Sequence, residues 1–207
     1  MNPQPPIPNP QPPTLSLALL TARRVHAPWL SIESGDVLLW RHSGGLVDRL
    51  IAAVGRGEYC HAAMACWLGG ELLALETVQF HGGRSAPLAR QVADYPGRID
   101  WFRVDPLGQA WDRSATMHAM MRVVGRRYGW WSLARLTWRR LPIVRLCVRP
   151  LTDDELENGH APFCSQAVSY ALRCGGLDPV GLTPDRLTEP QDLARSPLLR
   201  LQGALVP

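Results

Sequence analysis

HAAMACWLGGELLALETVQF, residues 61–80, is the stretch that decides the fold. Two apolar runs, His61 to Trp67 and Leu72 to Phe80, flank Gly69-Gly70. Each run is apolar and of strand length. A Gly-Gly pair between them supplies the positive backbone angles that a tight hairpin turn demands. The reading is an antiparallel hairpin, closed by Gly69-Gly70 alone or by a four-residue loop from Leu68 to Glu71.

Either loop gives the same register, with His61 opposite Val78 and Glu76 as its diagonal neighbour on the same face. Diagonal partners lie roughly 7–8 Å apart at Cα, within reach of a glutamate and an imidazole. A slip of one residue would send Glu76 to the other face. The hairpin can therefore hold a base and the group that orients it on one rigid element.

Around the hairpin, Gly35-Asp36 precedes the apolar run Val37 to Trp40, and Ile99 to Val104 forms another strand-like run. Asp36 reads as an acidic residue bonding turn backbone. Ser43 caps a helical pattern through Leu46, Leu50, Ile51 and Val54. Asp112 to Arg127 carries Met117, Met120, Met121 and Val124 at helical spacing. The segment from His81 to Arg84 reads as a loop, with a border of the cleft as the alternative. The last thirty residues, rich in Pro, Asp and Leu, read as an ordered wrap without regular structure. Strands followed by helices, with a hairpin among them, give an α+β domain on an antiparallel sheet.

Pro162 and Phe163 lead into a helix from Cys164 to Cys174, ended by Gly175-Gly176. The N-terminus of a helix carries unpaired N–H groups and partial positive charge, which stabilise a thiolate. Cys164 shares a helix face with Ala167, Val168 and Ala171, which aims its sulfur at the sheet. Cys174 sits at the opposite end, where the dipole opposes ionisation. Cys164 as nucleophile, His61 as base and Glu76 as orienter form the candidate site.

The chain is long enough for one well-buried domain, and its 46% apolar and 19% charged residues are ordinary for a globular protein. A net charge of +4 fits an anionic partner without selecting one. Five cysteines, with no CxxC pair, argue against a disulfide framework. The opening MNPQPPIPNPQPP lacks the charged start of a signal peptide, and no run of apolar residues is long enough to span a bilayer. The expectation is a protein made in the cytoplasm, with export by a dedicated machine or in a virus particle left open. Residues 1–30 are a proline-rich tail and 31–207 the folded domain.

Tyr59-Cys60-His61, Leu75-Glu76-Thr77, Phe163-Cys164-Ser165-Gln166 and the early Gly35-Asp36-Val37 follow one another in the order of a known pattern. The chain resembles the circularly permuted NlpC-type papain-like hydrolases, the group of the YiiX-like bacterial proteins and, more distantly, lecithin:retinol acyltransferase. The likeness runs over roughly residues 31–200. Its specific part is the order, histidine before cysteine, because ordinary papain-like enzymes have the reverse. Gly125 to Gly129 resembles a Gly-x-x-Tyr segment of the group, and Thr183-Pro184 to Leu199 its C-terminal wrap. Two positions depart from the pattern: Cys60 stands where Ser or Thr is usual, and Gln166 replaces a common Glu.

The resemblance implies a permuted papain-like domain and a cysteine peptidase or amidase that works through a thioester and uses no cofactor. It implies an oxyanion held by the N–H of Cys164, with Tyr59 as a second donor and Tyr128 as a further oxyanion or substrate contact. The substrate it implies is a cell-wall peptide amide, peptidoglycan above all, or an acyl lipid. Trp130, Ala134, Trp138 and Leu141 fall on one helical stripe, with arginines elsewhere around the helix. That stripe reads as a cover over the sheet or, in the alternative, as a helix docking on an anionic membrane. A different class of reading is a non-catalytic module of a virion or secretion system. A zinc site from Cys60, His61 and Cys66 is disfavoured, because Cys60 and His61 are expected on opposite faces of a strand. Nucleic acid is not an expected partner, since no recognition motif is present.

Overall fold

The computed structural model describes residues 29–43, 57–78, 81–126, 162–181 and 183–207. Six strands form one sheet: β1 (Val37–Arg41), β2 (Tyr59–Leu68), β3 (Glu71–Val78), β4 (Gly82–Pro87), β5 (Ile99–Val104) and β6 (Leu199–Leu205). Their order is β4-β3-β2-β1-β5-β6, and every neighbouring pair is antiparallel. Helices α1 (Leu88–Asp94), α2 (Arg113–Met121), α3 (Cys164–Cys174) and α4 (Pro190–Ala194) complete an α+β architecture.

The sheet is covered on both sides, which explains why central β1 reads Val-Leu-Leu-Trp with all four residues buried. Val37 and Leu39 join one apolar cluster with Met117 and Met120 of α2, Ala167, Val168, Ala171 and Leu172 of α3, and Leu193 of α4. Leu38 and Trp40 point the other way, into a cluster with Leu88 and Val92 of α1. Burying a side chain such as Leu172 contributes about 1.5–3 kcal/mol, so these two layers fix the helices to the sheet.

The hairpin has the anticipated register. Leu68 pairs with Glu71 and Ala63 with Glu76. Gly69 and Gly70 have φ of 60° and 81°, so two residues make the turn and both need the left-handed region.

Three expectations are corrected. The segment after the hairpin is not a loop: β4 pairs with β3, and α1 follows it at once. Its Gly-Gly-Arg-Ser-Ala-Pro sequence lacks strand-forming residues because an edge strand gains its order from its neighbour. The methionine helix ends at Met121, and Met121 and Val124 are exposed. The chain leaves the helix to bond the outer edge of β4, Gly83 N–H to Arg126 O at 2.7 Å and Gly125 N–H to Gly83 O at 2.8 Å. The C-terminal wrap holds a 3-10 turn (Asp185–Leu187), α4 and the edge strand β6. A bulge in β6 opposite Trp101 and Phe102 lets Leu199 enter one core layer and Leu205 the other.

The expected helix after Ser43, Tyr128 and the Trp130–Trp138 stripe lie outside the described residues. Among the described residues, no helix is long and apolar enough to cross a membrane.

Candidate active site

Cys164 is the first residue of α3. Phe163, in extended conformation before it, donates its N–H to Gln166 Oε1 at 3.3 Å and gives its carbonyl to Ala167 N–H at 2.9 Å. Gln166 thus performs the reciprocal half of a capping box, a task glutamine shares with glutamate. Ser165 Oγ donates to Thr188 O at 2.8 Å, tying the head of the helix to the C-terminal segment. The sulfur of Cys164 is buried, at 8% residue exposure, within hydrogen-bonding reach of His61 and of the N–H groups of Ala62 and Ser165.

How β2 presents His61 depends on a feature with no local sequence signal. Trp40 pairs with His61 but Arg41 with Tyr59, so Cys60 is the extra residue of a β-bulge. The bulge changes the alternation: Tyr59 and Ala62 both face the layer of α2 and α3. His61 keeps to the other side, where its ring stands edge-on to Trp40 at 5.0 Å between centroids. Cys60 packs on that same layer and contacts Trp40 O and Tyr95 Oη. The expectation that Cys60 and His61 point to opposite faces is therefore overturned.

His61 Nε2 lies 2.6 Å from Glu76 Oε2. Nδ1 is the ring nitrogen left to face Cys164. Glu76 is only 2% exposed, and its other oxygen is fully engaged: Oε1 accepts from Arg84 Nε at 2.8 Å and from Gln91 Nε2 at 2.6 Å. Arg84 is the direct cross-strand partner of Glu76 on β4, and Gln91 comes from α1. Gln91 was not expected at the site, and Arg84 only as a loop residue bordering the cleft. Recognising β4 as a strand would have brought Arg84 to light.

The three groups form a connected set of charges. Burial alone would raise the proton affinity of the Cys164 thiol; the charge of His61, its hydrogen bond and the two N–H groups outweigh it and lower the pKa. Burial works against the His61 imidazolium, yet the Cys164 thiolate and the Glu76 carboxylate raise its pKa to about 10. Glu76 is pushed upward by burial, but the bonds from His61, Arg84 and Gln91 carry it down to about 2. Thiolate, imidazolium and carboxylate stabilise one another.

Tyr59 is placed differently from its anticipated role. It is buried and donates its single phenolic hydrogen to Asp100 Oδ2 at 2.6 Å. Arg41 also bonds Asp100, at 2.8 Å. Burial, then the bond to Asp100, raises the Tyr59 pKa to about 12. The hydroxyl belongs to an ion-pair network inside the sheet, with no hydrogen left for an oxyanion.

No known family model matches the sequence, and no curated protein matches it. A solved structure does. The metalloprotein YiiX of Escherichia coli O157:H7 superposes with a TM-score of 0.56 at 14% identity, over 85% of this chain and 99% of that one. The fold is YiiX-like. At this identity the likeness speaks for the YiiX-like arrangement of strands and helices, and the chemistry has to be argued from the side chains above.

Proposed function

We propose that this protein is a cysteine hydrolase with permuted papain-like chemistry, cleaving an amide through a thioester on Cys164. The observation that carries the reading is the continuous chain of contacts Cys164–His61–Glu76, assembled from α3, β2 and β3 with the carboxylate on Nε2.

In the ground state Nδ1 of His61 takes the thiol proton, giving the thiolate–imidazolium pair. The sulfur attacks the substrate carbonyl carbon, and the displaced π electrons move to oxygen, where the N–H of Cys164 at the head of α3 receives the negative charge. Collapse of this adduct expels the amine, which takes the proton from His61. Water then attacks the thioester while His61 accepts its proton, the carboxylic acid leaves and the thiolate is restored. A peptidoglycan-type peptide amide is the substrate class implied by the resemblance stated above.

The name of YiiX raises the matter of a metal. Among the described residues, no three His, Cys, Asp or Glu side chains are grouped to hold an ion, and both Glu76 oxygens are already bonded to protein donors. The described residues do not fit that group, and the steps above use the chain's own side chains.

Incubation with p-nitrophenyl acetate tests the proposal. The expected result is a burst of nitrophenol of one equivalent per chain, with an acetyl group on Cys164 that disappears over time and never forms in Cys164→Ala. Acetylation spread evenly over the thiols, or none on Cys164, would contradict it.

A further inference from the structure

Glu76 is buried against a layer of apolar side chains, where an isolated carboxylate would favour its protonated form. Which form it takes decides what His61 can do. A carboxylate accepts the hydrogen of Nε2 and leaves the lone pair of Nδ1 open to the thiol proton. A carboxylic acid would donate to Nε2 instead, place the ring hydrogen on Nδ1 and block that transfer.

Arg84 and Gln91 bear on this choice. Both donate to Oε1, the oxygen His61 does not use, and Gln91 lies 2.6 Å away. Both also line a hollow of about 480 Å³ with Trp40, Pro87 and Tyr95, on the side of the sheet away from α3. Among the described residues, the charged and titratable groups around Glu76 are His61 on β2, Arg84 on β4 and, through His61, Cys164 on α3. From α1 the contacting group is neutral Gln91, while the Arg90–Asp94 pair of that helix is exposed on the wall of the hollow.

We infer that Arg84 and Gln91 are positioning residues, which hold Glu76 as a carboxylate and thereby fix the hydrogen of His61 on Nε2. They touch neither Cys164 nor the reacting carbonyl; they act through Glu76. The inference rests on the hydrolase reading and adds two side chains to its machinery.

The test is the pH profile of Cys164 alkylation by neutral iodoacetamide, followed by peptide mass mapping. In Arg84→Met and Gln91→Met the acid limb of the profile moves up by about one pH unit, so that reactivity near pH 5 falls about tenfold while that near pH 8.5 stays within about twofold. Gln91→Glu, which sets a second carboxylate against the first, moves the limb further. Arg84→Lys restores it most of the way, a rescue that a purely structural role does not require. Arg200→Met, which removes the ion pair of Arg200 on β6 with Asp105, leaves the profile in place. Should the wild type show the acid-shifted limb and the Arg84 and Gln91 variants share it, this inference falls and the hydrolase reading stands. Should the wild type lack selective Cys164 reactivity altogether, both fall together.

Discussion

Glu76 pairs directly with Ala63 across the hairpin, yet its carboxylate reaches diagonally to His61, placing Oε2 2.6 Å from Nε2. The two residues occupy the same face because the turn is two residues long, and a loop of one residue more would part them. The link between base and orienter is thus set by a two-residue turn.

That pair makes stability depend on pH. Glu76 titrates near 2 in the fold against 4.5 for an ordinary glutamate, so its contribution is present in full above 4.5 and is lost as pH falls towards 2. His61 has the opposite sign: its raised pKa stabilises the fold below 6.5, and that contribution is lost as pH rises through about 10. Glu76→Gln is expected to lower the unfolding free energy by about 2 kcal/mol at neutral pH. Urea unfolding at a series of pH values should show the gap to wild type narrowing as pH drops below the glutamate range.

The turn offers a test free of packing effects. A Cβ added at Gly69 or Gly70 would meet no heavy atom within 4 Å, so only the backbone angle is at stake. Gly70→Ala, at φ 81°, should cost about 1 kcal/mol in urea unfolding. An equal or greater stability than wild type would show that the turn is not of this type.

Tyr59→Phe separates two roles for one hydroxyl. Asp100 is fully buried and loses a donor, which costs about 1–3 kcal/mol of stability. Since the phenolic hydrogen points to Asp100, the rate of Cys164 acetylation should change by no more than about twofold, whereas an oxyanion donor is worth about a hundredfold or more.

The hairpin, its register and the helix headed by Cys164 were legible because each rests on local rules: Gly-Gly for the turn, alternation for the face, Pro-Phe before a helix start. What escaped depends on the whole sheet. The bulge at Cys60 is imposed by pairing with β1, and nothing in Tyr-Cys-His marks it. β4 has the composition of a loop and is ordered by β3, so Arg84 and Gln91 could not be placed beside Glu76 in advance. β6 buries only its two end residues, Leu199 and Leu205, and carries too little alternation to announce a strand.

Gly83 shows how closely β4 is held. A Cβ there would stand 1.9 Å from the carbonyl oxygen of Val123, so backbone must move to admit it. Gly83→Ala is expected to open the bonds to Gly125 and Arg126 and to cost about 2 kcal/mol or more, read by thermal or urea unfolding.

Limiting iodoacetamide near pH 5.5, with mass mapping of all five cysteines, bears most directly on the ion pair itself. Cys164 should be alkylated well ahead of Cys60, Cys66, Cys147 and Cys174, and His61→Ala should slow that reaction by about a hundredfold or more. Uniform labelling of the five thiols, or a Cys164 rate indifferent to His61→Ala, would contradict the account.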